Sequence, residues 1–313
     1  MKNPKLHFRT LMVGAAFVTG ALLASLVSTV RGAPPPKPPP SLAFTVAGDM
    51  RQFAADAPAG KRYFDGACEA MKRVGPGEFL ITPGDFDPPA PVRAVIDRYL
   101  GPRFPWYVVI GNHEVETAED MVWVQQWAAP GIPHVVRTGP PGKEYAAYSF
   151  AIGNSHFVAL DDYPAGKPGA AGKDGLDDAG LDWLEKDLAA TRQPLRWVIG
   201  HKPIQSLPDM DSGRVRHGEE SVSSDPARIE RFVALLKTYR VRAYICGHTH
   251  NASVAKVKGV WQADSGHARG GGDPGAPSTF LKFRIVGEQA WVDIYRADPT
   301  GREYKLRQTV ALE

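Results

Sequence analysis

Cysteine is scarce in this chain, since Cys68 and Cys246 are the only two among 313 residues. Two cysteines in a chain of this length exclude a fold held together by a disulfide framework. Cys246 ends an apolar run, so we interpret both residues as buried thiols, and one bridge between them stays open. The chain is long enough to be stabilised by a hydrophobic core instead.

A large excess of charge of either sign is also missing. The formal net charge is +3, but the first 40 residues contain five basic side chains and no acidic one. The remaining residues comprise 32 basic and 34 acidic side chains. This balance gives no general signal for nucleic-acid binding.

Long apolar runs are absent except near the N-terminus. Residues 11–30 are uncharged and mostly apolar, with basic residues before them and prolines after them. The pattern predicts an export segment over residues 1–32, either a signal peptide or an uncleaved signal anchor that spans the membrane. Residues 33–40 are expected to form a stiff proline-rich linker. The basic flank favours a periplasmic or extracellular location for residues 41–313.

Five short apolar runs in residues 41–313 end in the same way, with a glycine followed by a side chain able to bind metal. The residues that end these runs are Asp49, Asp85, Asn112, His201 and His248. Such runs predict strands buried on both faces. The glycine permits a tight turn and a close approach of the backbone to an ion. His250 lies two residues after His248, so both imidazoles could face one side of an extended chain.

Helical patterns separate the apolar runs. They cover residues 61–74, 91–100, 117–128, 181–191 and 225–239. The alternation of strand and helix in the first half fits a sheet with helices on both faces, whose ligands lie beyond the carboxyl ends of the strands. From Thr279 onward the apolar pattern alternates, which predicts antiparallel strands that complete a second sheet of the same domain.

The ordered set of motifs resembles one known family. The motifs are GD at Asp49, GDFD at Asp85, GNHE at residues 111–114, GH at His201 and GHTH at residues 247–250. In this order they resemble the calcineurin-like metallophosphoesterases, in particular the branch related to purple acid phosphatases. The resemblance spans nearly all of residues 41–313. It implies an α/β fold, a four-layer α/β/β/α sandwich of two mixed β-sheets flanked by helices.

The resemblance also implies a dinuclear centre that holds two divalent transition-metal ions, Mn, Zn or Fe. The metal ligands would be the bridging Asp85, then Asn112, His201 and His248 on one ion, and Asp49 and His250 on the other. A shared carboxylate offsets the repulsion between two cations, and imidazoles favour transition metals over Mg or Ca. The ions would lower the pKa of a bridging water, and the resulting hydroxide would attack a phosphate ester.

The GNHE motif carries a candidate for proton transfer. His113 would protonate the leaving oxygen, and Glu114 would orient the imidazole ring. The alternative for His113 is a structural hydrogen bond behind the metal ligands.

The first motif departs from the family pattern. Arg51 stands where the common Asp-x-His form has a ligand, and arginine cannot bind a cation. Pro88 occupies the position of the tyrosine that the purple branch uses. Arg51 is then either a catalytic clamp for the substrate phosphate, or Asp87 or Gln52 turns inward as the missing ligand. An ion pair between Arg51 and Asp87 is the structural alternative.

Two long polar loops, residues 162–178 and 205–225, are expected near the catalytic edge. The second loop contains Arg214, Arg216 and His217, and most of the charges in both loops are expected to be solvated. His267 lies in a glycine-rich segment, for which a turn is favoured over a contact with the ions.

These features predict a metallophosphoesterase whose substrate is a phosphate ester, with the choice between monoester and diester open. The membrane would be a further partner if the N-terminal segment is uncleaved. The rival hypothesis is a non-catalytic, membrane-tethered module that binds metal and anions through a degenerate first metal site. No His-Glu-x-x-His helix motif occurs in the sequence, which disfavours a metalloprotease.

Overall fold

The part of the chain that can be described in the computed structural model covers most of the predicted domain. The described residues are 41–51, 64–128, 132–163 and 175–313. The chain divides into two units, residues 1–38 and 39–313, and every described residue belongs to the second. The predicted segments 1–32 and 33–40 lie outside the described residues. None of the helices in the described ranges has the length and apolar character that a membrane span requires.

The described strands form two sheets. In chain order they are β1 (Ser41–Val46), β2 (Leu80–Pro83), β3 (Trp106–Val109), β4 (Val135–Thr138), β5 (Tyr148–Ile152), β6 (Ser155–Ala159), β7 (Leu195–Ile199), β8 (Ala243–Cys246), β9 (Ala252–Val257), β10 (Val260–Ser265), β11 (Thr279–Val286), β12 (Gln289–Ala297) and β13 (Tyr304–Ala311). The first sheet has the order β13-β12-β11-β1-β2-β3, and the second has the order β4-β5-β6-β7-β8-β10-β9. Both sheets are mixed, because each combines parallel and antiparallel pairs.

The described helices lie close to the predicted segments. They are α1 (Phe64–Val74), α2 (Pro89–Tyr99), α3 (Asn112–Glu116), α4 (Ala118–Ala128), α5 (Asp178–Ala190) and α6 (Pro226–Thr238). Five of these correspond to the predicted helices within a few residues, although positions 61–63 of the first lie outside the described residues. The short α3, which directly follows β3, was not predicted.

The two sheets pack face to face around a largely aromatic core. Phe44 of β1 lies in this core, with its ring centroid 4.8 Å from that of Phe283 in the same sheet. Across the interface, its centroid is 5.3 Å from that of Phe157 and 5.9 Å from that of Trp197. The close packing of aromatic rings from both sheets makes this interface the interior of the domain.

Helices cover the outer face of each sheet. Met71 of α1 and Ile96 of α2 share one buried cluster with Trp106 of the first sheet. On the other side, the ring of Phe232 in α6 lies 5.2 Å from that of Tyr244 in the second sheet. The predicted four-layer α/β/β/α sandwich is confirmed. The simpler expectation of one sheet with helices on both faces is wrong, because the inner face of each sheet packs against the other sheet.

The C-terminal strands belong to the first sheet, so the prediction that they complete a second sheet is wrong. Strand β11 pairs antiparallel with β1, and Phe283 lies opposite Phe44 in that pairing. The alternating pattern identified the strands correctly but carried no information about their partner.

Cys68 in α1 and Cys246 at the end of β8 are both free and buried. They belong to the two different outer cores, so no bridge joins them. Burial raises the pKa of both thiols well above the usual range. The prediction of buried thiols is confirmed.

Candidate metal centre

Strand ends from both sheets converge at one edge of the sandwich. The predicted ligands follow strands of the first sheet (Asp49, Asp85 and Asn112, after β1, β2 and β3) and of the second (His201, His248 and His250, after β7 and β8). The structure therefore brings together side chains that are as much as 201 positions apart in the sequence. Their role as metal ligands stays a prediction.

One group of potential ligands consists of Asp49, Asp85 and His250. All three are buried, and their ligand atoms lie within 4.8 Å of one another. His250 Nε2 is 3.5 Å from Asp49 Oδ1. This set combines carboxylate oxygens with an imidazole nitrogen, the mixture that suits divalent transition metals.

A second group surrounds Nε2 of His201. Asn112 Oδ1 and His248 Nδ1 each lie 3.2 Å from this nitrogen. Asp85 Oδ1 lies 3.4 Å from it. Asp85 thus belongs to both groups, which is the position that a bridging carboxylate requires.

Several of these residues have an unusual backbone conformation. The φ angles are 49° for Asp49, 54° for Asp85, 70° for His248 and 58° for His250. Residues other than glycine rarely adopt this left-handed region of φ, and such conformations occur preferentially at functional sites. The tight turns at the strand ends are therefore consistent with a functional constraint.

The glycines of the repeated motif make room for the carboxylates of neighbouring motifs. A Cβ atom on Gly111 would overlap Asp85 Oδ1, and a Cβ atom on Gly247 would overlap Asp49 Oδ2. The recurrent glycine is thus required by the close approach of the strand ends.

The electrostatics of the site favour bound cations. Burial raises the pKa of Asp49 well above its usual range, and repulsion from Asp85 acts in the same direction. Burial lowers the pKa of His201 to about 3 and that of His248 to about 4. Adjacent buried carboxylates are costly to ionise without a compensating charge, whereas neutral imidazoles have a lone pair available for a metal. The donor set therefore fits divalent metal ions.

Two of the imidazoles are held from behind. His201 Nδ1 lies 2.7 Å from the carbonyl oxygen of Pro83, which directs Nε2 into the site. His248 Nε2 lies 2.8 Å from Glu220 Oε2. Hydrogen bonds on the far nitrogen orient a metal-binding histidine and increase its basicity. His217 Nδ1 lies 2.7 Å from Glu220 Oε1, so both oxygens of the Glu220 carboxylate have a hydrogen-bonding partner without an ion.

The loop of residues 205–225 is tied to the site by ion pairs of Arg214 and Arg216, which are exceptions to the expectation that most charges of the loops are solvated. Asp273 accepts Arg214 Nη1 at 2.6 Å and Arg216 Nη1 at 3.2 Å. The same carboxylate lies 2.7 Å from His250 Nδ1. Asp273 therefore joins two loops to a predicted ligand.

His267 is buried in the glycine-rich segment that was predicted to form a turn. Its Nε2 lies 2.9 Å from the carbonyl oxygen of Ala276. The ring centroids of His267 and His250 are 5.9 Å apart, so His267 packs behind a predicted ligand. In the predicted loop of residues 162–178, positions 164–174 lie outside the described residues.

His113 lies at the mouth of the site. Its Nε2 is 3.6 Å from Asp85 Oδ2, and its Nδ1 is 3.0 Å from Glu116 Oε2. The carboxylate beside the ring is therefore Glu116 and not Glu114. The spacing of three residues on α3 places Glu116 next to His113, and this spacing is a signal that sequence reasoning overlooked.

Glu114 has a structural task. It is fully buried and accepts the backbone N–H groups of Asp85 at 3.1 Å, Phe86 at 2.8 Å and Gly111 at 2.7 Å. The prediction that Glu114 orients the ring of His113 is wrong, because its oxygens face these amides. Glu114 instead fastens the turn after β2 to the start of α3.

Arg51 forms the ion pair that was the structural alternative. Its Nε lies 3.0 Å from both carboxylate oxygens of Asp87, and its Nη2 lies 3.0 Å from one of them. Asp87 is thus engaged by Arg51 and does not join the group of Asp49, Asp85 and His250. Gln52 lies outside the described residues. The clamp role of Arg51 stays a prediction.

Asp273 and Glu220 were missed by sequence reasoning. Each contacts a predicted ligand more than 20 positions away in the chain. No local pattern in the sequence specifies these pairs, because they depend on how the loops fold over the strand ends.

Residues 42–252 match the calcineurin-like phosphoesterase family, and the chain belongs to this family. It is similar to tartrate-resistant acid phosphatase type 5, with 31% identity to the Mus musculus protein over 169 residues, covering 50% of this chain and 45% of that protein. Identity to the Homo sapiens protein is 29% over 167 residues, covering 50% and 46%. The predicted relation to the purple acid phosphatase branch is confirmed. The chain spans about half the length of the curated relatives it matches.

Two solved structures share the fold. PhoD aligns with a TM-score of 0.56 and 14% identity, covering 86% of this chain and 69% of that chain. GAP50, the anchor in the inner membrane complex of Plasmodium, aligns with a TM-score of 0.52 and 13% identity, covering 87% and 88%. At this level of identity the similarity concerns the fold alone.

Proposed function

We propose that the chain hydrolyses phosphate esters at a dinuclear metal site, with a hydroxide shared by two divalent ions as the nucleophile. The observation that carries this proposal is the position of Asp85, whose carboxylate belongs to both groups of potential ligands. Membership of the calcineurin-like phosphoesterase family supports the reaction class and implies divalent metal ions. The similarity to proteins named acid phosphatases supports a phosphate ester as the substrate.

Some residues of the site would bind cations, and another would transfer a proton. When bound, two ions would supply a hydroxide near neutral pH and would neutralise the phosphate oxygens. His113 would give a proton to the leaving oxygen. The contact of its Nδ1 with Glu116 and the position of its Nε2 near Asp85 support this role. Arg51, fixed by Asp87, would add positive charge beside the phosphate.

The rival function is a non-catalytic module that binds metal and anions. Arg51 favours it, because among the described residues the first group consists of Asp49, Asp85 and His250. The pairing of His113 with Glu116 opposes it, since a binding module needs no oriented proton donor. We therefore favour the enzyme.

Turnover of p-nitrophenyl phosphate by the purified full chain tests the proposal. We expect hydrolysis that is lost after treatment with a chelator and restored by Mn²⁺, Zn²⁺ or Fe²⁺. Metal binding without turnover under any of these conditions would support the rival function. A panel of phosphomonoesters, nucleotides and diesters would then identify the preferred substrate.

We also propose that the protein is exported and acts on the periplasmic or extracellular side, held at the membrane if residues 1–32 remain attached. The basic, apolar and proline-rich order of residues 1–40 supports this location. Fractionation of cells that express the full chain tests it, with a chain lacking residues 1–32 as the control. Recovery of both chains from the cytoplasm would contradict export.

A further inference from the structure

Arg269 differs from the other arginines near the candidate metal centre. Arg51 is paired with Asp87, and Arg214 and Arg216 are paired with Asp273. Arg269 is half-buried, and its Nε, shielded from solvent, has no hydrogen-bond partner among the described residues. Its guanidinium forms no ion pair with any carboxylate in the described ranges.

The backbone places Arg269 beside the group formed by Asp49, Asp85 and His250. The N–H of Ala268 donates to the carbonyl oxygen of Gly48 at 3.0 Å, so residue 269 adjoins the turn that carries Asp49. The N–H of Arg269 donates to His267 Nδ1 at 3.2 Å, and the ring of His267 packs behind His250. Arg269 therefore stands at the edge of the predicted first metal site.

The charges around Arg269 do not provide its guanidinium with a negatively charged partner of its own among the described residues. Burial lowers the pKa of Arg269, and the positive charges of Arg51 and Arg216 act in the same direction. Asp273 and Asp49 act in the opposite direction, but Asp273 is already shared by two other arginines. A guanidinium stays protonated in proteins, and its partial burial without a hydrogen-bond acceptor is costly. An anion bound at this edge would supply the missing acceptor.

We propose that Arg269 binds the dianionic phosphate of a monoester and makes the site selective for phosphomonoesters over diesters. This inference rests on the proposed phosphoesterase function and narrows its substrate class. The planar fork of a guanidinium matches two charged oxygens of one phosphate group. A monoester dianion has three non-bridging oxygens that share two negative charges. A diester has only two, which share one negative charge, and a second organic group occupies the third position. The diester would place an uncharged substituent against the cation.

The test compares two substrates with the same leaving group, p-nitrophenyl phosphate and bis(p-nitrophenyl) phosphate, on the full chain supplied with Mn²⁺. Loss of a hydrogen bond to a charged group corresponds to about a 10- to 100-fold loss of affinity. For Arg269→Gln we therefore expect kcat/KM for the monoester to fall by about that factor, mainly through KM, and kcat/KM for the diester to fall by less than about threefold. Arg269→Lys should recover part of the monoester activity. The matched control is Arg228→Gln on α6, which removes a surface partner of Asp178 and touches none of the predicted ligands among the contacts of the described residues.

Two further readouts separate recognition from structural damage. The Mn²⁺ content of Arg269→Gln should equal that of the wild type, and calorimetry should show weaker binding of inorganic phosphate by about the same factor as the monoester loss. Equal losses for monoester and diester, or an unchanged monoester activity, would overturn the inference. If the wild type hydrolyses neither ester, the proposed phosphoesterase function is rejected, and the role of Arg269 is judged separately from phosphate binding. That role is rejected if phosphate binding is undetectable, or if the wild type and Arg269→Gln bind phosphate with equal affinity.

Discussion

Asp85 is the residue on which the site depends most. Its Oδ1 accepts the backbone N–H of His113 at 3.1 Å and lies 3.4 Å from His201 Nε2. Its side chain also belongs to the group with Asp49 and His250. Burial raises the pKa of Asp85, and this effect opposes ionisation until a cation is near. Metal binding and the charge of Asp85 are therefore coupled.

His113 is expected to act in the chemical step and not in metal binding. Replacement His113→Gln removes the proton donor, so kcat should fall by about 10²- to 10⁴-fold while metal content stays at the wild-type level. Steady-state kinetics together with metal analysis check this. Glu116→Gln is the companion variant, and it should cause a smaller fall because Glu116 only holds the ring. An unchanged kcat in His113→Gln would leave His113 with a structural role.

Arg51 is expected to contribute to substrate binding. Replacement Arg51→Ala removes a positive charge that acts on Asp85 and breaks the ion pair with Asp87. We expect the KM for a phosphate ester to rise by about tenfold or more, the effect of losing a charge-assisted hydrogen bond. An Asp87→Asn variant serves as the control for the broken ion pair. If KM is unchanged in Arg51→Ala, the clamp is rejected.

At the scale of the secondary-structure elements, the turns that follow neighbouring strands pack closely against one another. Gly111, between β3 and α3, lies against the carboxylate that follows β2, and Gly247, after β8, lies against the carboxylate that follows β1. Glu114 strengthens the first of these contacts by accepting three backbone N–H groups. The site is therefore held by the elements and not by flexible loops alone.

Replacement Gly111→Ala should disturb this fit. The new Cβ would overlap Asp85 Oδ1, and overpacking of this kind usually costs about 1–3 kcal/mol of folding free energy. We expect a lower melting temperature and a loss of bound metal. The control is Gly271→Ala, where a Cβ would meet only Thr300 O at 3.8 Å. Equal metal content in both variants would show that the close approach at Gly111 is not required.

The elements that could be predicted are those with a local signal. The five glycine-ended runs predicted β1, β2, β3, β7 and β8, because continuous apolar runs mark strands buried on both faces. The division of these strands between two sheets could not be predicted, since burial does not specify a neighbour. Contacts such as those of Asp273 with His250 also remained hidden, because they join separate loops. The role given to Glu114 failed because residues adjacent in sequence project in different directions on α3.

At the scale of the whole molecule, buried histidines make the stability of the metal-free protein depend on pH. Burial lowers the pKa of His267 from 6.5 to about 4. Between these values the unfolded chain binds a proton that the folded protein does not, so this residue reduces stability as the pH falls from about 6.5 towards 4. His267 contacts a predicted ligand but does not belong to the ligand set, and it can be replaced separately.

His267→Gln should remove this dependence. Relative to the wild type, the free energy of unfolding of the variant should rise by about 2 kcal/mol between pH 7 and pH 5. Chemical denaturation in the presence of a chelator measures the difference. The exposed His134→Gln is the matched control for the loss of an imidazole at the surface. A constant difference between His267→Gln and the wild type would contradict a buried, neutral His267.

The number of metal ions per folded chain tests the central claim most directly, because the claim is that side chains from two sheets share cations through Asp85. Elemental analysis of the purified protein should find about two divalent transition-metal ions per chain. In Asp85→Ala both ions should be lost together, whereas Asp49→Ala should retain the ion held by Asn112, His201 and His248. A wild type that binds no metal, or an Asp85→Ala variant that keeps the full metal content, would contradict the claim.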